Sequence, residues 1–99
     1  MATNIFVSEA TSRVLVAVDN LKTRAMEYLA EPKTPLRFEV CAAMALFNNA
    51  VDSTLDEQPI LLDELRQSLS HKFDAFTAAP SPLTLATMTS TAVTIAHRI

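Results

Sequence analysis

The sequence predicts an all-α fold, an antiparallel bundle of four helices that forms a single domain over residues 1–99. Three observations support this prediction. The chain contains no glycine, although a domain of this length ordinarily carries about seven, so the tight turns of β-hairpins lack the residue that best forms them. Its five prolines divide it into four segments. Apolar residues recur in each segment at spacings of three and four, which is the period of an amphipathic helix.

The first predicted helix spans residues 8–30 and follows a short extended lead-in at residues 4–7. Ser8 is the expected N-cap, with Glu9 in the first turn, where the helix dipole favours an anion. Pro32 marks the end of this helix. A stripe with heptad-like spacing predicts the buried face, which consists of Val7, Thr11, Val14, Val18, Leu21, Ala25 and Tyr28.

The second predicted helix spans residues 35–53, and its middle is apolar on every side. Thr34 is the expected N-cap and Pro35 the first helical residue. Residues 40–47 are all apolar, and polar side chains return only at Asn48. Because such a helix is normally central to a bundle or covered by a second subunit, we expect it to be the core helix.

The third predicted helix spans residues 59–77 and has one apolar face. Two acidic pairs flank its start, Asp56 with Glu57 and Asp63 with Glu64. Since adjacent residues of a helix point in different directions, these pairs suit the helix dipole better than acid–base catalysis. The apolar face consists of Leu62, Leu65, Leu69, Phe73 and Phe76.

The fourth predicted helix spans residues 82–98, with Ser81 as N-cap and Pro82 as the first helical residue. Its many Ser and Thr residues lower helix propensity and invite a strand interpretation. A lone strand would lack a partner, however, and two neighbouring helical stripes favour the helix. They consist of Leu85, Met88, Ala92, Ile95 and Ile99, and of Thr84, Thr87, Thr91, Thr94 and Arg98. Connections of about four or five residues make consecutive helices antiparallel neighbours.

The threonines of this last helix suggest an interface. Their small side chains permit close helix approach, and their hydroxyls can return to the carbonyl four residues earlier. A second, semi-apolar face on a terminal helix suits a dimer seam or a groove on a partner protein; the alternative is an ordinary exposed face of low charge. The predicted partner or dimer interface is formed by Thr87, Thr91, Thr94, Ile95 and Ile99.

No catalytic set of residues can be assembled from this sequence. The dinucleotide fingerprint, the P-loop, the kinase Gly-rich loop and the nucleophile elbow all require glycine. His71 and His97 lie on different helices, and His71 with Asp74 is interpreted as an exposed, solvated pair. We therefore predict no enzyme, no catalytic residue, no metal site and no cofactor.

Cys41 is the only cysteine and allows two interpretations. Arg37 lies one helical turn earlier and could make the thiol reactive. The alternative, favoured by the surrounding Ala, Met and Phe residues, is a small buried hydrophobe. A single cysteine forms no intramolecular disulfide, which suits a reducing compartment.

Charge and hydropathy limit the partners. A net charge of −3 and a pI of about 5.2 argue against a non-specific polyanion binder. A local basic patch remains possible at Arg13, Lys22, Arg24, Lys33 and Arg37, although glutamates dilute it. No secretory signal and no membrane span is visible, so we expect a cytoplasmic protein, in a bacterium or a host cell, with no membrane partner.

These observations favour a non-enzymatic helical interaction module of adaptor, chaperone or inhibitor type. Its 49% hydrophobic and 19% charged content suggests more apolar surface than one monomer can bury. We therefore expect a homo-oligomer, with another protein as a further partner. The alternative is an oligomeric, helical nucleic-acid-binding accessory protein, for example of viral or phage origin, whose basic residues gather only on association.

Overall fold

A computed structural model describes residues 9–54 and 61–99, except for the side chains of Ala10 and Leu61. The described residues form four α-helices and no strand, which confirms the predicted all-α bundle. The helices are α1 (Glu9–Ala30), α2 (Thr34–Asp52), α3 (Leu61–Ala78) and α4 (Pro82–Arg98).

The observed helix ends lie within two residues of the predicted ones. The third helix is described from Leu61 onward; its predicted start at Pro59 and the acidic pair at residues 56–57 lie outside the described residues. The predicted lead-in at residues 4–7 and the Ser8 cap also lie outside them. The fourth helix has the predicted bounds.

The helices pack around α1, which contacts both α2 and α4, while α4 also packs against α3. The backbones of the other pairs, including α2 and α3, approach each other only marginally. Residues 31–33 and 79–81 connect consecutive helices, so these connections are shorter than expected. The prediction that α2 is the central helix is wrong, because its backbone packs closely against α1 alone.

The buried core confirms the predicted stripes on three helices. Its largest fully buried side chains are Phe47, Phe76, Leu21, Leu62, Leu69, Met88, Ile95, Val14, Val40 and Val51. Each such Leu, Ile, Phe, Met or Val contributes about 1.5–3 kcal/mol relative to an exposed position. Leu65 and Phe73 of the α3 stripe are partly buried against this core. Val7, predicted for the α1 stripe, lies outside the described residues.

Tyr28 connects α1 to the end of α3. Its ring lies 5.9 Å from that of Phe76 in an edge-to-face arrangement. Its hydroxyl donates to the Thr77 carbonyl oxygen at 3.3 Å. This contact joins two helices whose backbones hardly touch, so side chains rather than close backbone approach hold α3 to α1.

The chain turns without the left-handed backbone that glycine favours. No described residue has a positive φ. Ser53 is the C-cap of α2, with φ −68° and ψ −7°. The hydroxyls of Ser53 and Thr54 donate to the carbonyl oxygens of Ala50 and Val51, both at 2.6 Å. Local hydroxyl bonds therefore satisfy carbonyls that a glycine C-cap would otherwise serve.

The two proline-marked helix starts differ from each other. Ser81 caps α4 as predicted, with a capping box in which Thr84 is the reciprocal partner. The predicted Thr34 cap of α2 is wrong, because Lys33 is the N-cap and its side chain makes no capping bond. Thr34 is the first helical residue and Pro35 the second; Pro35 fits there because amides of the first turn have no acceptor within the helix.

Candidate interaction surface

Two of the five predicted interface residues on α4 lie inside the bundle. Ile95 is fully buried and Thr91 is 6% exposed. The Thr91 hydroxyl accepts a hydrogen bond from Lys72 Nζ at 2.8 Å and donates to the Thr87 carbonyl oxygen at 2.9 Å. These two residues join α4 to its neighbours within the chain and are not available to a partner in this fold.

The other three predicted residues lie nearer the surface of α4. Thr87 is exposed, while Thr94 and Ile99 are half-buried. The hydroxyls of Thr87 and Thr94 donate to the carbonyl oxygens of Thr84 and Ser90, at 3.1 and 3.0 Å. The predicted hydroxyl bond to the carbonyl four residues earlier is thus observed at Thr94, as at Thr91, whereas Thr87 bonds to the carbonyl three residues earlier.

The five predicted basic residues do not form an unopposed patch. Arg13, Arg24 and Lys33 each pair with a glutamate, in the pairs Arg13–Glu9 at 2.8 Å, Arg24–Glu27 at 3.0 Å, Arg24–Glu39 at 3.5 Å and Lys33–Glu31 at 2.9 Å. Lys22 and Arg37 have no carboxylate partner among the described residues. Neighbouring glutamates therefore offset most of the charge that a nucleic acid would require.

An open cavity of about 440 Å³ lies between the end of α1 and the start of α2. It is lined by Arg24, Glu27, Ala30, Glu31, Leu36 and Glu39. Its charged side chains are partly exposed, and Arg24 forms ion pairs with Glu27 and Glu39. Such solvated pairs contribute about 0–1 kcal/mol each, and the cavity holds no buried polar group that would select a ligand.

The residues considered for catalysis or metal binding are exposed on the surface. His71, Asp74 and His97 are all exposed. Within the described ranges, no three His, Cys, Asp or Glu residues are grouped so that they could hold a metal ion. Asp63 and Glu64 lie in the first turn of α3, where they favour the helix dipole as expected.

The outward side of α2 forms a grouped, uncharged surface, which we call the α2 outer face. It consists of the exposed residues Phe38, Cys41, Ala42, Ala45, Leu46 and Asn49. Phe38 is 68% and Leu46 57% exposed. Phe38 lies between the exposed, charged residues Arg37 and Glu39, and no charged residue follows between Glu39 and Asp52. Exposed apolar side chains scattered singly are ordinary, whereas a contiguous group on one helix is a candidate interaction surface.

Cys41 lies on this face, so the prediction that it is a buried hydrophobe is wrong. The inner side of α2 is formed instead by Val40, Ala43, Met44, Phe47 and Val51, all buried. Both sides are apolar, and the charge pattern gives no sign of which side faces solvent. A second stripe was nevertheless readable in the sequence, because Phe38, Ala42, Ala45 and Asn49 recur at spacings of four, three and four.

Comparison of the chain with protein-family models, with curated proteins and with solved structures found no match. A scan of the described helices found none with the length and apolar character needed to span a membrane. The functional interpretation therefore depends on the surface geometry of this chain, above all on the α2 outer face.

Proposed function

We propose that this protein is a non-enzymatic, self-associating interaction module of adaptor, chaperone or inhibitor type. The observation that carries the proposal is the α2 outer face, where two large apolar side chains and two alanines are exposed on one side of the helix. A face of this kind costs solubility unless something covers it, at least part of the time. Association is the direct means of covering it.

The size of the face indicates reversible association. Fully burying a Phe or Leu side chain contributes about 1.5–3 kcal/mol, and Phe38 and Leu46 retain more than half of that exposure. Together they offer about 2–4 kcal/mol on each copy, hence about 4–8 kcal/mol in a pair, whereas association costs about 4–15 kcal/mol in lost freedom. The rest of the contact must offset the difference, so the complex forms and dissociates readily, as in an adaptor.

The α4 surface is a weaker candidate for the same role. Thr87 and Leu83 are exposed there, Leu83 at 72%, but Thr91 and Ile95 pack within the chain. An interface on α4 would therefore consist of hydroxyl-bonded threonines, Leu83 and the less exposed Val93. We propose the α2 outer face as the principal surface and a reducing, cytoplasmic compartment, which suits an exposed unpaired thiol at Cys41.

The nucleic-acid alternative receives less support from the described surface. Glu27 and Glu39 flank Arg24, and Glu31 pairs with Lys33. A nucleic-acid site gains its affinity from cations that neutralise phosphates without competition. Lys22 and Arg37, the two residues of the predicted basic patch without a carboxylate partner among the described residues, are too few to supply that affinity.

Sedimentation velocity with interference optics tests the proposed self-association. The chain has one tyrosine and no tryptophan, so absorbance optics are poorly suited. We expect the weight-average sedimentation coefficient to rise with concentration between about 10 μM and about 1 mM, the range in which weak complexes assemble. A constant monomer value over this whole range would refute self-association.

A further inference from the structure

We infer that the α2 outer face binds a second copy of this chain, with the two α2 helices antiparallel about a twofold axis between Ala42 and Ala45. The inference rests on the proposed function and deepens it, because it names the partner, the surface and the orientation. It is argued from the spacing of the exposed residues and from the charges at the two ends of the helix.

The exposed residues form a seam that is complementary to its own reverse. Phe38, Ala42, Ala45 and Asn49 occupy alternating a and d positions of a heptad pattern. In an antiparallel pair, a positions face d positions, so Ala42 faces Ala45 of the second copy and Phe38 faces Asn49. The alanines permit the closest approach of the two helices at the centre of the pair. Each Phe38 ring then packs beside an alanine and against the apolar side chain of Leu46, both of the second copy.

Charge complementarity favours the antiparallel orientation. Arg37, near the start of α2, is exposed and has no carboxylate partner among the described residues. Asp52 ends α2; its side chain is 50% exposed while it pairs with Arg66 at 2.8 Å. In the antiparallel pair, Arg37 lies near Asp52 and the terminal carbonyls of the second copy.

A parallel pair would have the opposite electrostatics. It would bring the two Asp52 side chains together at one end, while at the other end each Arg37 would lie near the exposed Glu39 of the second copy. It would also align the two helix dipoles, so that like ends meet. Facing residues would be identical, with Phe38 on Phe38 and Asn49 on Asn49. The antiparallel arrangement avoids the like-charge contacts, which cost specificity and affinity in protein interfaces.

The dimensions of α2 predict a weak dimer. The helix has 19 residues, so it is about 28 Å long, and a strip roughly 10 Å wide covers about 300 Å² on each copy. A standard interface covers about 800 Å² on each partner. We therefore expect a reversible dimer with a Kd on the order of 100 μM.

Disulfide trapping determines the orientation. Two single-cysteine proteins are made in a Cys41→Ser background, one with Ala42→Cys and one with Ala45→Cys, and one of them carries a mass tag. A disulfide requires Cα atoms within about 7 Å, which only facing seam positions reach. We expect the mixture to yield the mixed disulfide in clear excess over either homodisulfide. An excess of homodisulfides indicates a parallel pair, and no disulfide at all indicates another surface; both results overturn the inference.

A matched pair of substitutions tests the surface independently. Phe38→Glu should weaken the dimer at least tenfold, whereas Leu83→Glu, at a comparably exposed residue on α4, should leave the Kd unchanged within about twofold. Both variants should keep the wild-type helix content in circular dichroism, since both side chains are mostly exposed. Arg37→Glu should weaken the dimer about threefold to tenfold and Arg37→Lys should not.

The outcomes separate this inference from the proposed function. If wild-type protein self-associates and Phe38→Glu does so equally well, the α2 inference is wrong and the proposed function stands. If wild-type protein stays monomeric to about 1 mM, both are wrong. Maleimide labelling of Cys41 in the monomer then identifies the alternative. Slow labelling indicates that the chain covers its own face, and fast labelling indicates a face free for a different protein.

Discussion

The caps of α2 and α4 predict opposite effects of two single substitutions. Ser81 Oγ accepts from the Thr84 amide at 3.1 Å, and the Ser81 amide donates to Thr84 Oγ1 at 3.0 Å. Lys33 has the extended backbone of an N-cap, with φ −102° and ψ 150°, but supplies no side-chain acceptor. A substitution can therefore remove a side-chain cap from α4 or add one to α2.

Ser81→Ala removes the acceptor for one orphan amide and half of the capping box. Such a change costs about 0.5–2 kcal/mol, typically about 1 kcal/mol, which lowers Tm by about 4–8 °C in a domain of this size. Lys33→Ser gives the Leu36 amide an acceptor and removes the exposed Lys33–Glu31 pair, which contributes little. We expect a net gain of about 0.5 kcal/mol and a Tm about 2–4 °C higher.

Thermal and urea unfolding followed by far-UV circular dichroism measures both effects, at about 10 μM, where a dimer of the expected affinity is largely dissociated. Ser81→Thr is the matched control, since threonine also caps helices and should lose only a few tenths of a kcal/mol. Either of two results would refute this account of the helix starts. One is a Ser81→Ala protein as stable as wild type, and the other is a Lys33→Ser protein less stable than wild type.

Three further predictions follow from the described contacts. Tyr28→Phe loses the hydrogen bond to the Thr77 carbonyl oxygen and should lower the free energy of unfolding by about 0.5–1.5 kcal/mol in urea titrations; an unchanged value would mean that the bond contributes nothing. Thr87→Glu, on the exposed side of α4, should leave the sedimentation behaviour unchanged, and dissociation would place the interface on α4 instead. Fluorescence anisotropy should detect no binding to a short DNA duplex at low salt, whereas tight, salt-sensitive binding would favour the nucleic-acid alternative.

The buried faces of α1 and α3 could be predicted from the sequence because polar residues mark their outer sides. On α1, Val14 and Leu21 are buried while Arg13 and Lys22 beside them are exposed. Where charges alternate with apolar residues at helical spacing, the side that faces the core is determined by the pattern itself.

The outer face of α2 could not be predicted in the same way. From Val40 to Phe47 every residue is apolar, so hydrophobic periodicity does not distinguish Phe47, which is buried, from Leu46, which is exposed. The choice depends on which helices lie beside α2, and that is decided by packing along the whole chain. The exposure of Cys41 could not be predicted for the same reason.

On α4 too, the sequence pattern alone does not show which side faces the core. The two stripes of α4 are adjacent, and the bundle buries parts of both, since Met88 and Ile95 of one and Thr91 of the other face inward. The hydroxyl of Thr91 is accommodated there by its bonds to the Thr87 carbonyl and to Lys72. A polar side chain that satisfies itself locally can be buried as readily as an apolar one, so composition alone did not separate surface from core.

The absence of positive φ in the described residues has a consequence for the unfolded state. Where the described backbone needs no glycine, it uses residues with fewer accessible conformations. Each such replacement of a glycine stabilises the folded state by about 0.4–1 kcal/mol at room temperature, because it lowers the entropy of the unfolded chain. With about seven glycines ordinarily present in a domain of this length, the sum is about 3–7 kcal/mol, comparable to the whole stability of a small domain. The unfolded ensemble, not only the core, thus helps to stabilise a fold that leaves one side of α2 uncovered.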